Sequence, residues 1–329
     1  MRALPLNLAV FRSVLILGSC LTLLPGQETV SVTAKGAGRA VRKNMAKLKP
    51  DATFNIGADP DWMAVTEDAV WVTTESANLV TQMTAANNKI RLKVAVAKPC
   101  SGLVAGFGSL WIPSCGKHSL VRANLKTGKI QATIPVGPAD SEGGITTGAG
   151  SVWLATSSSG TISRIDPKNN AVVASVSIPS GSYCPIFAGG FVWVTSSEHN
   201  VLSKVDPSTN KVVAQIPVGK NPRFLTAGAG SVWTLNQGDG TVSRVNTRTL
   251  RVAEIAAGLS GHGGEIAFGF GSVWVTLDQF PVTRIDARNN TILHQWAGAG
   301  GDSIRAGFGS IWLTHLKAGK VWRISPGKL

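Results

Sequence analysis

The chain has 329 residues, a formal net charge of +14, 37 glycines and a single tyrosine, with 15% charged and 43% apolar residues. So few charges exclude a coiled coil and argue against a helical bundle, and so much apolar content excludes a mainly disordered chain. Abundant Gly with Ser, Thr and Val points instead to many short strands joined by tight turns.

The amino end reads as an export signal. Arg2 and Arg12 flank an apolar stretch, and a second apolar run from Val14 to Leu24 ends at Pro25-Gly26. That run is shorter than the roughly 20 residues of a membrane span but fits a signal-peptide core. Residues 1–26 are therefore expected to be removed. Leu17-Gly18-Ser19-Cys20 also resembles a lipobox, which would make Cys20 the lipidated first residue of a periplasmic or extracellular protein. Residues 27–50 follow as a basic linker carrying Lys35, Arg39, Arg42, Lys43, Lys47 and Lys49. Such a segment suits contact with an anionic membrane or the cell wall. Export removes the usual reason for a basic protein to bind nucleic acid, so no nucleic-acid partner is expected.

From residue 51 onward the sequence is repetitive. Tryptophan recurs at Trp71, Trp111, Trp153, Trp193, Trp233, Trp274 and Trp312, at intervals of 40, 42, 40, 40, 41 and 38 residues. Five of these follow a Gly-x-Gly-Ser-[Val/Leu/Ile] string, while the first and fourth copies degenerate to EDAVW and GGFVW. Each unit continues with a polar loop, an alternating strand such as TISRID, a turn such as DPKNN and an apolar strand such as AVVASVSIP. Four short antiparallel strands repeated seven times specify an all-β, seven-bladed β-propeller spanning 51–329 as one domain, expected to be a monomer. The Gly-x-Gly-Ser string supplies the positive φ of a tight hairpin between the first two strands. The Trp residues are expected between blades as core, not as a ligand cage.

The last repeat ends after its third strand, Lys320 to Ile324. Near the amino end, residues 54–60 (FNIGADP) look like residues 216–222 (IPVGKNP), which close the fourth repeat. The amino-terminal strand is therefore expected to complete the last blade and shut the ring.

Residues from Trp193 onward, WVTSSEHNVLSKVDPSTNKVVAQIPVGKNPRFLTAG, resemble the YVTN-type propeller repeat. The chain from about 51 to 326 is similar to the streptogramin (virginiamycin B) lyase-like propellers. That resemblance implies a divalent metal such as Mg²⁺ and a His base that open a lactone by elimination. The nearest analogue here is His262 and Glu265 in the string GHGGE, with Glu265, Asp302 and Asp61 as the implied metal ligands. The family's Glu-x-His arrangement is absent.

Departures from the repeat mark candidate binding residues. Ten positions before each Trp, allowing one deletion in the fourth blade, stand Asp61, Ser101, Gly143, Cys184, Arg223, Gly264 and Asp302. With Glu142 and Tyr183 beside them, these are expected to ring one mouth of the central channel. Loops on the same face carry His118, His199 and His315. An acidic, His-containing sector in a basic protein can hold a hard cation or attract a cationic ligand. Two readings follow: a binding propeller for a small ligand or an envelope protein, or a metal-dependent carbon–oxygen lyase. Finally, Cys100 and Cys115 are symmetric about the hairpin of the second blade, which predicts a cross-strand disulfide and leaves Cys184 unpaired.

Overall fold

The computed structural model describes residues 30–31, 42–140, 142–256, 264–277 and 279–329. The signal-like residues 1–26, Cys20, His262 and Asp278 lie outside the described residues. Among those described, the strands form seven sheets arranged as the blades of a propeller. The first blade runs Pro60–Val65, Ala69–Thr74, Leu79–Thr84 and Lys89–Ala95 from the channel outward. Its pattern recurs because each repeat carries the same alternation, which a period-two strand turns into faces buried against both neighbouring blades.

The hairpins between first and second strands need two consecutive left-handed residues. Phe107 and Gly108 (φ 55° and 70°) show the arrangement, and it recurs at Ala149-Gly150, Phe270-Gly271 and Phe308-Gly309. The glycine is the cheap half of each turn, since left-handed backbone strains a residue with a Cβ.

All seven repeat tryptophans are fully buried. In six of them the indole N–H donates to the carbonyl five residues earlier, as Trp153 does to Gly148 at 3.1 Å. Trp71, in the degenerate first copy, is buried with its N–H unpaired. Opposite five of the seven Trp, on the third strand, stands an Arg that the sequence pattern leaves unexplained; Trp71 faces Gln82 and Trp193 faces Lys204. Arg164 lies over the Trp153 ring at 5.2 Å and donates through Nε to Ser151 of its own blade. Its Nη1 reaches the next blade, donating to the Pro207 carbonyl at 2.7 Å and to Asn210 Oδ1 at 3.1 Å. Arg122, Arg244 and Arg323 repeat this clamp, and Arg284 reaches the Pro326 carbonyl. Five of the 32 Lys and Arg residues thus hold blade to blade through cation–π contacts and charge-assisted hydrogen bonds.

The ring closes as the end repeats require. Ala52–Asn55 pairs antiparallel with Lys320–Ile324, so the last blade takes its outer strand from the amino end. Asp51 caps the junction, accepting from Ser325 Oγ at 2.7 Å and pairing with Lys328.

The stretch expected as a basic linker contributes edge strands where it is described. Val30–Ser31 pairs parallel with the outer strand of the fifth blade, and Arg42–Asn44 pairs parallel with that of the sixth. Lys43 lies over the Trp296 ring at 5.1 Å, while Met45 and Leu48 are buried in the same apolar cluster. Two of the basic residues are therefore held by aromatic rings; Arg42 lies over Phe280.

Candidate functional site

The innermost strands run from a loop-bearing face to the face of the Gly-x-Gly-Ser hairpins. Pairing of these strands with the Trp strands fixes which residues share a level. In the fourth blade Ile186 pairs with Trp193, as Ala64 pairs with Trp71 and Thr226 with Trp233. No deletion is needed, so Tyr183 occupies the rim level with Asp61, Arg223 and Asp302. Cys184, placed there by the sequence alignment, lies one level deeper and is buried.

At the rim, the Asp61 and Asp302 carboxyl groups lie close enough for the Asp302 charge to act on Asp61. Burial first, then the charges of Glu265 and Glu142, push Asp302 up to about 6. Burial and the Asp302 charge raise Asp61 as well. Glu142 is raised mainly by burial, and Arg223, 3.9 Å away, opposes that shift. The Arg223 guanidinium is stacked on Tyr183 at 4.7 Å. The rim therefore carries Asp61, Glu142 and Asp302, with Arg223 paired to Glu142.

Glu265 stands apart from this group. Its side chain is 6% exposed and forms an ion pair with Arg305. One carboxylate oxygen also accepts from Ser303 Oγ at 2.7 Å and from the Ile304 N–H at 3.3 Å. The sequence proposed Glu265, Asp302 and Asp61 as a metal triad. The structure commits Glu265 to Arg305 and Ser303, and no group of three or more His, Cys, Asp and Glu side chains suited to a metal occurs among the described residues. Among the described residues, these side chains do not form a ready metal centre.

The three described loop histidines are not brought together. His118 is exposed in the second blade, next to Gly137. His199 Nε2 is 3.0 Å from Ser180 Oγ at the fourth blade. His315 packs edge-on against Trp322 in the seventh, and burial lowers its pKa. The fourth, His262, lies outside the described residues.

Beneath the rim the channel contains a cavity of about 340 Å³. Two of its residues escaped sequence reasoning. Arg305 lies seven positions before its Trp, where the other blades have Ala64, Val104, Thr146, Ile186, Thr226 and Ala267. Comparing that register across the seven copies would have singled it out. Trp62, outside the repeated Trp series, meets Phe224 inside the channel. Near the rim, Cys100 and Cys115 form a disulfide, with Cα atoms 5.8 Å apart. The Cys184 thiol is pushed up by burial and is an inert buried group.

No protein-family profile matches the chain, and no curated protein matches it. Solved structures do resemble it. A catalytically inactive virginiamycin B lyase from Staphylococcus aureus, with quinupristin, is 19% identical, with a TM-score of 0.71 over 83% of this chain and 97% of that one. Hydrazine synthase from Kuenenia stuttgartiensis is 14% identical, with a TM-score of 0.69 over 86% and 98%. BamB from Moraxella catarrhalis is 13% identical, with a TM-score of 0.60 over 79% and 83%. At these identities the likeness establishes the seven-bladed propeller fold.

Proposed function

We propose that this protein is an exported binding propeller that takes a small cationic ligand at the loop-face mouth of its channel. The observation that carries the reading is the convergence of Asp61, Glu142 and Asp302 on one half-buried rim, opposed there by Arg223. Carboxyl groups raised by burial and by one another's charges regain stability when a cation sits between them, and the surrounding protein supplies walls that focus the field. Export rests on residues 1–26, and the basic segment that follows would keep the protein near an anionic membrane or wall. Mass spectrometry of the mature protein tests export, because cleavage after Gly26 and cleavage before a lipidated Cys20 give different masses.

Calorimetric titration with putrescine, run beside MgCl₂, tests the ligand class. Saturable putrescine binding at pH 8, weaker at pH 5 and lost in the Asp61→Asn/Asp302→Asn double variant, is the expected result. Heat that never saturates, or binding indifferent to the double variant, defeats the reading.

Fold likeness to virginiamycin B lyase favours a second reading, a divalent-metal-dependent carbon–oxygen lyase using His262 and Glu265. The Glu265–Arg305 pair counts against it, because the carboxylate would first have to leave three donors. Incubating quinupristin with protein and Mg²⁺ decides: ring opening by elimination changes chromatographic retention without changing mass.

A further inference from the structure

The channel is divided by its own side chains. Trp62 belongs to the first blade and Phe224 to the fifth, which are not neighbours in the ring. Their rings nevertheless meet edge-on with centroids 5.6 Å apart, so the contact spans the lumen. Both side chains are buried, at 4% and 5% exposure. Small residues at the same level, Gly102, Gly144 and Cys184, leave room for them. A Cβ on Gly102 would come within 3.5 Å of the Trp62 ring. The two rings and the neighbouring Glu265 carboxylate form a floor. Asp61, Arg223 and Asp302 stand one residue beyond it and do not line the cavity.

The cavity lies on the other side of that floor. It extends over the next three levels of the inner strands, about 10 Å at roughly 3.3 Å per residue. It reaches half-buried Val65, Ala105, Phe268 and Ala306 beside the Gly-x-Gly-Ser hairpins. It is therefore a well entered from the hairpin face, opposite the acidic rim. Its 340 Å³ falls at the lower end of the roughly 300–1,000 Å³ of small-molecule sites.

The chemistry of the wall selects a ligand. Much of it is methyl and aliphatic surface from Ala64, Val104, Ile186 and Ala267. Thr146 and Thr226 add hydroxyls at the same level, and Arg305 supplies a cation. Its Nη1 donates to Glu265 and to the Ile304 carbonyl at 2.7 Å, and Nη2 reaches the other Glu265 oxygen only at 3.5 Å. A guanidinium has five N–H donors, so Arg305 keeps donors beyond these bonds. The Trp62 indole N–H in the floor is buried without a protein partner. Thus Arg305 and Trp62 both offer uncommitted donors, and an acceptor on the ligand is what complements them. The Glu265–Arg305 pair is neutral as a unit. A charged ligand would bring an unbalanced charge into an enclosed site, which burial disfavours strongly.

The geometry points to a second binding site: the hairpin-face well takes a small, neutral, mainly apolar molecule whose carbonyl oxygen accepts from Arg305. This inference is independent of the rim reading. The two sites lie on opposite sides of the Trp62–Phe224 floor and want ligands of different charge.

A set of similar-sized probes tests it: acetophenone as the neutral acceptor, benzoate as the anion and benzylamine as the cation. Binding is read on the ¹H–¹⁵N indole resonance of Trp62, assigned with Trp62→Phe. For a fragment of this size, saturation by acetophenone is expected at roughly millimolar concentration. Benzoate and benzylamine should bind at least tenfold more weakly. Ala267→Leu fills the well from its wall and should abolish the shift. The Arg305→Met/Glu265→Gln double variant, which strands no charge, should weaken acetophenone at least tenfold. Circular dichroism and melting confirm that each variant folds. The Asp61→Asn/Asp302→Asn rim variant should bind acetophenone normally, separating this site from the rim. No saturable shift with acetophenone, benzoate binding as tightly, or binding that survives Ala267→Leu in a folded protein would each overturn the assignment.

Discussion

Arg323 of the last blade donates to the side chain of Asn88 in the first, at 2.9 Å across 235 residues of sequence. The same guanidinium lies over Trp312 and bonds Ser310 and the Ala85 carbonyl. The ring is therefore closed twice at this seam. The amino-terminal strand completes the last blade from within, and the Arg clamp ties that blade to the first.

Both closures should be measurable. Deleting residues 51–57 removes the pairing of Ala52–Asn55 with Lys320–Ile324 and leaves Phe54 out of its cluster with Trp312 and Val321. A large fall in melting temperature is expected, and an unchanged one would refute the closure. Arg323→Ala should cost about 2 kcal/mol, from charge-assisted hydrogen bonds and the cation–π contact together. Urea unfolding measures it.

The unequal indole N–H groups give a second expectation. Trp71 and Trp153 are equally buried, but only Trp153 has a partner for its N–H. Substitution by Phe removes a satisfied donor at Trp153 and an unsatisfied one at Trp71. Trp71→Phe should therefore be milder than Trp153→Phe by about 1 kcal/mol. Equal losses in denaturant unfolding would show that the indole hydrogen bond contributes nothing.

The rim carboxyls make stability depend on pH in a defined direction. Asp302 has a folded pKa of about 6, above its ordinary value of 3.8. A raised carboxyl favours the folded state least when ionised, so stability falls as pH rises from about 4 through about 6. Asp302→Asn should flatten this fall by about 1–2 kcal/mol, allowing for the solvent that reaches the rim. Unfolding at pH 4.5 and pH 8 checks the sign. A wild-type protein more stable at the higher pH, with a variant that shows no difference, would contradict it.

The cysteines predict a thiol count. In denaturant, a chain cleaved beyond Cys20 should titrate one thiol before reduction and three after it, because Cys100 and Cys115 are bonded and Cys184 is free. The bond closes a loop with a sequence separation of 15, so its reduction should cost about 3 kcal/mol of stability.

The composition that opened the sequence reading now has physical causes. The glycines serve the repeated left-handed hairpins. The low charge reflects faces buried between blades. The net positive charge lies partly in Arg122, Arg164, Arg244, Arg284 and Arg323, which stitch neighbouring blades. Sequence reasoning had placed much of that charge in the signal and the 27–50 tail. It saw the arginines only as polar residues of an alternating strand, because their partners lie some 40 residues away.

Blade number, strand order, hairpins and ring closure were legible in the sequence because each rests on a local period: 40 residues per repeat, two per strand face, and paired left-handed residues per turn. The interior of the channel was not legible. Which residues meet there depends on contact between blades that are distant in the chain. Trp62 reaches Phe224, Glu265 is taken up by Arg305, and Asp61 comes beside Asp302 only once the ring has closed. Local periodicity determined the frame. Radial closure decided the floor of the channel, the acidic rim on one side of it and the well on the other.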